Sequence, residues 1–440
     1  MIDFFAIVFL LWTPILSIIY WIVCMRQKIA IIGWWAAGMM AAATIIENWY
    51  TGEVHLFEKN KNLWAKVIIS GWGRCNVTTS YYRWKDLGDK YIRWSEFVRE
   101  AIGQFGPRKI FNRFENHGVP LKIEEDMRVF PKSDNGRDIV GVFEKLFSRH
   151  KTMRVHLTSG IDDIDYEKKK FILSTGGQKM NFDQIVIATG GNAYTATWST
   201  GDAYNRAKKL WHTVTSLGPS LNSFLSEEKW MHELSGLSFE KAKFEITLSN
   251  GEKKNAIWPM LFTHFWISGP ATFIVSAHSS FETINRSQAL EVYFMPFVDR
   301  TREVWEEFFL QQAKEVPRKQ ITTILHTYLP QRIIDSLNTH IFAWALDGQI
   351  GLCSKALRIG LSEYLGWGWK ISVVWRRAGD EFVTAWGVLL DEVNRQTMES
   401  KILPGLYFVG EILNVDGVTG WYNLTSSWAT GRLAGKTISL

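Results

Sequence analysis

Residues 29–38 have the sequence IAIIGWWAAG, in which a short β-branched run leads directly into a turn and a series of small residues. The run 29–32 predicts a buried strand, and the small residues from 36 to 43 predict a helix that packs closely against it. A second strand is expected at residues 54–57, directly before Glu58. Strand, turn, helix and strand together form a βαβ unit, which is the building block of a parallel sheet.

The turn after the first strand has the outline of the dinucleotide fingerprint G-x-G-x-x-G. Gly33 takes the first place, where the chain bends tightly, and Gly38 takes the third, where helix and strand approach closely. Trp35 stands at the second place, where glycine normally lets a pyrophosphate reach the backbone. Glu58 follows Gly38 by twenty residues, the position from which an acidic side chain binds a ribose hydroxyl. The complete unit favours a nucleotide-binding turn over a plain tight turn.

Hydrophobic periodicity predicts the elements that follow. Helical patterns occur at residues 95–117, 139–150 and 426–436, and strand patterns at 155–157, 171–174, 184–188 and 406–410. The apolar runs 184–188 and 406–410 are typical of parallel strands that are buried on both faces. A parallel sheet that resumes near the end of the chain predicts a domain built from two separate segments.

Between about residues 197 and 380 the pattern changes to short strand-like pieces, which predict a small β-barrel or sandwich. These pieces include residues 243–248, 271–276 and 290–295. Residues 302–338 have helical periodicity, and we expect a small helical subdomain at about 301–340. The sequence therefore predicts an α/β fold, with a discontinuous Rossmann-type domain in residues 25–196 and 381–440 and an inserted domain between them.

Composition narrows the class of protein. Charged residues make up 21% and hydrophobic residues 46%, which is typical of a globular chain. The three cysteines form no C-x-x-C pair, so we expect neither a disulfide framework nor a metal site. The net charge is +6, but Lys and Arg are scattered among Asp and Glu, which argues against a nucleic-acid partner.

The first residues raise a question of location. Residues 4–24 carry no charge and are long enough to cross a bilayer. Only a short polar link separates them from the strand at 29–32, and a central parallel strand so close to lipid is geometrically awkward. We expect residues 1–24 to be an upstream extension absent from the working protein, which would then start at Met25 in the cytoplasm. A membrane anchor with a cytoplasmic catalytic domain is the alternative.

Several longer motifs give the chain a family resemblance. They are residues 70–76, 105–107, 128–131, 187–191, 200–202, 262–270, 406–411, 416–417 and 422–424. On these motifs the chain, from about Met25 to Leu440, resembles bacterial NAD(P)/FAD-dependent oxidoreductases of the aminoacetone-oxidase-like and bile-acid-reductase-like kind. The resemblance implies an enzyme that transfers hydride between FAD and a small organic substrate, with NAD(P)H as a candidate second partner.

The resemblance also implies cofactor-binding roles. Residues 33–38 would shape the pyrophosphate turn, Glu58 would hold the adenosine ribose, and Lys59 would flank the adenine. The motif at 187–190 would bring backbone close to the cofactor, and Gly410 with Glu411 would contact its ribityl and phosphate region. The full expected set is Gly33, Trp34, Trp35, Ala36, Ala37, Gly38, Glu58, Lys59, Ser70, Gly71, Gly73, Arg74, Cys75, Asn76, Val155, Thr189, Gly190, Gly410, Glu411, Gly420, Trp421, Tyr422, Asn423 and Leu424.

Two of the implied roles, those of Cys75 and His264, have plainer alternatives. Cys75 lies in the expected flavin-contacting loop at 70–76, but no second cysteine is near it in sequence, so we expect a small buried residue rather than a redox thiol. Residues 420–424 precede the last helix, whose N-terminal dipole could stabilise negative charge on a flavin. His264 is a weak candidate for an acid or base, and a structural histidine is the favoured interpretation. The catalytic residues therefore stay unknown.

Tryptophan is anomalous, with 22 residues in the chain. The family pattern has glycine at ten places where this chain has tryptophan: Trp34, Trp35, Trp64, Trp72, Trp198, Trp211, Trp258, Trp266, Trp386 and Trp421. An indole at position 35 would enter the space meant for the pyrophosphate. One hypothesis is that the gene uses a stop-type codon that is reassigned to glycine and has been translated as tryptophan.

Two other functions stay open at this point. If the tryptophans are literal, the chain could be a cofactor-free or membrane-tethered binding protein. A flavoprotein that modifies tRNA would suit the basic net charge, although no RNA-binding module is recognisable.

Overall fold

The computed structural model describes residues 27–61, 67, 70, 71, 73–193, 200–377 and 381–440. The predicted N-terminal extension at residues 1–24 lies outside this range. Within it, no helix is both long and apolar enough to cross a bilayer. The chain forms two compact units: one contains the described residues up to Leu217 together with Val383–Leu440, and the other contains Gly218–Phe382.

The first segment of the first unit supplies most of its strands and helices. In chain order they are β1 (Ile29–Ile32), α1 (Ala36–Glu47), β2 (Val54–Phe57), β3 (Thr78–Thr79), α2 (Trp84–Leu87), β4 (Tyr91–Arg93), α3 (Ser95–Gln104), α4 (Pro107–Asn116), β5 (Leu121–Ile123), β6 (Arg128–Pro131), α5 (Arg137–Arg149), β7 (Met153–His156), β8 (Asp163–Glu167), β9 (Lys170–Thr175), β10 (Gln178–Phe182), β11 (Gln184–Ile187) and α6 (Asp202–Lys209).

The second unit follows, and the chain then returns to the first. The second unit contains β12 (Gly218–Ser220), β13 (Phe224–Ser226), α7 (Lys229–His232), β14 (Ser238–Thr247), β15 (Lys253–Phe262), β16 (Trp266–Ser268), α8 (Pro270–His278), β17 (Leu290–Met295), α9 (Arg302–Glu315), α10 (Ile321–Leu325), α11 (Gln331–His340), α12 (Lys355–Trp367) and β18 (Trp369–Arg376). The last segment of the first unit adds β19 (Val383–Ala385), β20 (Leu406–Phe408), β21 (Asp416–Gly417) and α13 (Gly420–Ile438).

A five-stranded parallel sheet forms the centre of the first unit, in the order β20-β11-β1-β2-β7. All four residues of β1 are buried, as expected for a central parallel strand that is covered on both faces. From β1 the chain builds the sheet outward on one side through β2 and β7, and on the other through β11 and β20. The crevice between the carboxyl ends of β1 and β11 is therefore the switch point at which such sheets bind ligands. The predicted Rossmann-type fold is confirmed.

Glycines, which have no Cβ atom, allow α1 and α13 to approach the backbone of their neighbours. A Cβ atom at Gly38 would overlap the carbonyl oxygen of Gly33, so α1 starts directly against the end of β1. On α13, a Cβ at Gly431 would overlap the carbonyl oxygen of Ala37, and one at Gly435 would lie 2.6 Å from that of Ala41. The last helix, α13, therefore packs against α1 through direct backbone contact.

A closed barrel of six strands, in the order β13-β16-β15-β14-β17-β18, forms the core of the second unit. This confirms the predicted inserted barrel, and α9 to α11 occupy the predicted helical region. The strand predicted at residues 271–276 is wrong, because these residues form the middle of α8. A short apolar run cannot distinguish a strand from a buried helix, and Pro270 at the first helical position favours the helix.

The backbone contact between α1 and α13 predicts how two glycine-to-alanine substitutions differ. Gly431→Ala should lower the free energy of unfolding by about 1–3 kcal/mol, because the new methyl group forces the helices apart. Gly141→Ala is the matched control on α5, where a Cβ meets no atom within 4 Å. It should raise stability by about 0.5–1 kcal/mol through helix propensity. Urea denaturation measures both, and equal effects of the two substitutions would contradict the packing described.

Candidate functional site

Two loops meet at the switch point of the parallel sheet. Gly33 follows β1 with a φ of 102°, and a Cβ there would lie 2.6 Å from the carbonyl oxygen of Ala188, just beyond β11. Gly190, two residues on, has a φ of 76°. Both backbone angles lie in the region that glycine adopts readily and other residues rarely do. The sheet edge and the N-terminus of α1 therefore form a cradle whose backbone has the shape of a phosphate-binding turn.

Glu58 lies at the end of β2 with only 5% of its surface exposed. Its Oε2 accepts a hydrogen bond from the backbone N–H of Trp34 at 3.0 Å. Its Oε1 accepts from the backbone N–H and the side-chain amide of Asn60 at 2.8 and 2.7 Å. A buried carboxylate needs such partners to offset its desolvation. These bonds hold the acid beside the cradle, in the place predicted for a ribose-binding residue.

A cavity of about 340 Å³ opens beside Glu58, and this volume lies in the range of small-molecule sites. It is lined by Gly33, Trp35, Glu58, Lys59, Thr189 and Gly201, by residues 159–162, and by Arg206 of α6. The Lys59 ammonium donates to Thr200 Oγ1 at 2.9 Å, and burial lowers its pKa. The cavity thus joins the predicted turn, acid and adenine-side lysine in one place.

Arg206 is a cavity residue that the sequence analysis missed. Burial lowers the pKa of its guanidinium, although Asp202, Asp162 and Asp163 oppose this effect. Its Nε is buried, and no hydrogen-bond partner for it lies among the described residues. No motif marks this arginine in the sequence, because it reaches the cavity only through the placement of α6.

The N-terminus of α13 forms a second polar cluster. The Asn423 side chain bonds both the N–H and the carbonyl of Gly417, at 2.9 and 3.0 Å, and also the carbonyl of Thr419 at 3.0 Å. Thr419, the residue before the helix, is 5% exposed. Its buried Oγ1 has no hydrogen-bond partner in the part of the chain that the structure describes. A helix N-terminus with an unsatisfied hydroxyl suits a polar ligand edge that carries negative charge.

A buried ion pair anchors the loop that leads to α13. Arg93 of β4 contacts both carboxylate oxygens of Asp416 at 2.6 Å. Asp416 is fully buried, and the Arg93 side chain is 13% exposed. Nearby, the Tyr91 hydroxyl donates to the carbonyl of Tyr422 at 3.0 Å, and burial raises the pKa of Tyr422 to about 12. Arg93 carries no sequence signal for this role, because 323 residues separate it from its partner.

The loop predicted to contact flavin is described at residues 70, 71 and 73–76. Arg74 donates to Glu124 at 2.7 Å, and its guanidinium lies 3.9 Å from the centre of the Phe130 ring. Cys75 is fully buried, and burial raises the pKa of its thiol to about 12, as suits the small buried residue predicted. The loop continues into Val77, whose carbonyl accepts from the Trp428 indole at 3.1 Å. It therefore lies beside α13.

The remaining predicted residues are more dispersed. The Gly410 N–H donates to Thr430 Oγ1 at 3.1 Å, and Glu411 accepts from the Thr384 N–H at 3.0 Å. Val155 lies on β7 with 39% of its surface exposed. His264 belongs to the second unit, where its Nδ1 lies 3.3 Å from the Ser235 hydroxyl. Within the described residues, no group of three or more His, Cys, Asp or Glu is arranged to hold a metal ion.

The residues fit only part of an FAD molecule. The buried carboxylate of Glu58 suits the ribose, and the unsatisfied Thr419 hydroxyl suits the flavin end. The pyrophosphate turn does not fit, because Trp35 lies at the N-terminus of α1 and lines the cavity. A Cβ added at Gly190 would lie 3.2 Å from Cε3 and Cζ3 of that indole. The ring thus covers the backbone that a pyrophosphate would need to approach.

Comparisons with known proteins agree with this architecture. The family of HI0933-like proteins with a Rossmann domain matches residues 27–437. The chain is 26% identical over 417 residues to the 3-dehydro-bile acid delta(4,6)-reductase of Clostridium scindens, covering 93% of this chain and 98% of that protein. It is 27% identical over 423 residues to the ribosomal RNA dihydrouridine synthase of Escherichia coli, covering 92% and 96%.

Among solved structures, the chain is similar to a 3-ketosteroid delta1-dehydrogenase from Sterolibacterium denitrificans, with 10% sequence identity and a TM-score of 0.48. This match covers 94% of this chain and all of that one.

The buried ion pair predicts an asymmetric response to two arginine substitutions. Arg93→Met should lower the free energy of unfolding by about 3–5 kcal/mol, because it leaves the Asp416 carboxylate buried without its cation. Arg99→Met removes an exposed pair with Glu96 on α3 and should cost about 0.2–1 kcal/mol. Urea denaturation of both variants measures the difference. A loss below 1 kcal/mol for Arg93→Met would contradict the burial of this pair.

Proposed function

This chain belongs to the family of HI0933-like proteins with a Rossmann domain, and from that premise we propose that it transfers hydride between flavin and a small organic substrate. It is an FAD-dependent oxidoreductase, which agrees with the reductase among its relatives. The flavin supplies the hydride chemistry when bound, and the protein supplies binding and orientation. NADH or NADPH is the proposed second electron partner.

The observation that carries the proposal is the placement of Glu58. This carboxylate is buried at the carboxyl end of β2, beside the turn at Gly33 and a cavity at the switch point. A buried acid at that position is suited to two ribose hydroxyls, whereas a purely structural turn would not require it. We propose that Glu58, Lys59 and Arg206 hold the adenosine half of the cofactor.

We propose that the N-terminus of α13 holds the opposite end of the cofactor. The helix spans Gly420–Ile438, so its dipole is well developed, and Asn423 fixes the loop that precedes it. The free Thr419 hydroxyl can hydrogen-bond a polar ring edge, and the dipole stabilises negative charge there. The expected cofactor residues in the 70–76 loop and at Gly410 and Glu411 stay part of this proposal.

The names of two relatives indicate a substrate class. The 3-dehydro-bile acid delta(4,6)-reductase and the ribosomal RNA dihydrouridine synthase both saturate carbon–carbon double bonds that are conjugated with a carbonyl group. Because these substrates differ in size but share this bond, we propose that the present chain also reduces a conjugated enone. A free enone is the first candidate, since the chain has no recognisable RNA-binding module.

A second candidate is reduction of a uridine within RNA. The similarity to ribosomal RNA dihydrouridine synthases, together with a net charge of +6, favours it over other macromolecular substrates. The two candidate substrates differ in how their binding depends on salt. RNA binding is electrostatic and weakens steeply as the salt concentration rises. Turnover of a free 3-oxo-Δ4 steroid in high salt would favour the first candidate, and salt-sensitive dihydrouridine formation in ribosomal RNA would favour the second.

The cofactor proposal predicts the effect of Glu58 on flavin binding. In a chain with glycine at position 35, we expect a yellow protein that retains FAD on gel filtration. Glu58→Gln in that chain should weaken FAD binding about tenfold or more, because hydrogen bonds to a charged group contribute about 1.5–3 kcal/mol. Titration of the stripped protein with FAD, followed by absorbance, measures this change.

A matched control is Glu125→Gln, which removes an exposed carboxylate elsewhere in the same unit and should leave the FAD affinity unchanged. Circular dichroism checks that each variant is folded. A folded, colourless protein that takes up no FAD with glycine at position 35 would overturn the proposed function.

A further inference from the structure

Five tryptophans of this chain have a left-handed backbone. Of the fourteen non-glycine residues with a positive φ among the described residues, five are tryptophans, although tryptophan makes up only 22 of 440 residues. Their φ angles lie between 55° and 72°, at Trp49, Trp94, Trp211, Trp344 and Trp386. Tryptophan is thus concentrated in the one backbone region that suits it least.

The left-handed region is costly for a bulky residue. A Cβ atom there approaches the following carbonyl oxygen, and only glycine, with some Asn and Asp, adopts it routinely. At three of the five positions packing of the indole does not offset this cost, because Trp49 is 84% exposed and Trp211 and Trp344 are each 62% exposed. An exposed indole gains little packing energy from the core, so it does not compensate for the strain of a left-handed backbone.

The ends of two helices allow a direct comparison. After α6, the His212 N–H donates to the Ala207 carbonyl at 2.9 Å, and the Trp211 N–H to that of Lys208 at 3.0 Å. This double pattern is the Schellman motif, in which the left-handed residue is usually glycine.

After α4 the same two bonds recur around a glycine. The Val119 N–H donates to the Phe114 carbonyl and the Gly118 N–H to that of Glu115, both at 3.0 Å, with a φ of 81° at Gly118. Trp211 therefore stands where the chain elsewhere uses glycine.

The other four positions lie at similar boundaries. Trp49 follows the C-cap residue of α1, and Trp94 directly precedes α3. Trp344 precedes a short 3-10 helix at Ala345–Asp347, and Trp386 lies beside Gly387 after β19. Chain reversals and helix ends of this kind are the places where glycine is enriched.

Other tryptophans of the same chain behave as tryptophans normally do. Trp428 lies inside α13 and is fully buried, its ring stacks on Phe143, and its indole N–H donates to the Val77 carbonyl at 3.1 Å. Trp230 is buried, and its indole N–H donates to Glu228. The chain thus contains two populations of tryptophan.

We infer that the natural residue is glycine at positions 49, 94, 211, 344 and 386, each specified by a codon that has been read as tryptophan. Positions 49, 94 and 344 do not belong to the ten glycine places of the family pattern, so backbone geometry identifies them independently. Position 35 belongs to the same population if the proposed function holds. Glycine there removes the indole that covers Gly190 and opens the turn to a pyrophosphate.

The decisive test is the covalent sequence of the protein isolated from its own cells. Tandem mass spectrometry of peptides that contain positions 49, 94, 211, 344, 386 and 428 should show glycine at the first five and tryptophan at position 428. In the gene, the codons for the first five should be UGA, and that for position 428 should be UGG. Tryptophan in the peptides at position 211, or UGG at all six codons, would overturn the inference. Neither result depends on whether FAD binds.

Folding measurements on the recombinant chain test the physical basis separately. Trp211→Gly should raise the folding equilibrium constant about fivefold, which corresponds to about 1 kcal/mol of relieved strain. Trp428→Gly should lower it about a hundredfold or more, because it empties a packed site. Trp211→Ala is the matched control, since alanine removes the indole but keeps the Cβ, and it should not stabilise. If Trp211→Ala stabilises as much as Trp211→Gly, the backbone argument is wrong.

Discussion

The structure depends on the direct approach of main chain to main chain at the start of α1. Gly38 lets α1 begin against the carbonyl of Gly33, and Gly431 lets α13 lie on the carbonyl of Ala37. Side chains at these positions would separate the layers that define the switch point of the sheet. The same turn also places N–H groups at the N-terminus of α1, which is what a phosphate requires once the Trp35 indole is absent. Packing and the proposed binding therefore depend on the same turn.

The polar groups around this cradle follow from its geometry. Glu58 accepts one hydrogen bond from the Trp34 N–H in the turn and another from the Asn60 N–H after β2, so the carboxylate proposed to bind the ribose is tied to the turn proposed to bind phosphate. At the far end of the site, the Arg93–Asp416 pair and Asn423 fix the loop before α13, which leaves the Thr419 hydroxyl unsatisfied. In the proposed site, an acid thus lies at the adenosine end and a helix dipole at the flavin end.

The sequence predicted the two strands of the first βαβ unit to the residue, because β1 and β2 are short apolar runs that are bounded by a glycine turn and an acid. It also predicted the inserted barrel and the burial of Cys75. The pattern could not separate strand from helix at residues 271–276, since a short buried apolar run has the same composition in both. Arg206, Arg93 and Thr419 were missed because tertiary placement, rather than local spacing, brings them to the site. The left-handed φ angles at Trp49, Trp94 and Trp344 likewise could not be predicted from the sequence, because they are seen only in the backbone of the folded chain.

The proposed function requires that residues 33–38, with glycine at positions 34 and 35, enclose a nucleotide diphosphate together with Glu58. A crystal structure of the chain with glycine at positions 34 and 35, grown with FAD, tests it most directly. We expect the pyrophosphate at the N-terminus of α1 and both ribose hydroxyls within hydrogen-bond distance of the Glu58 carboxylate. Electron density for FAD at any other place on the first unit, with the cradle and Glu58 untouched, would contradict it.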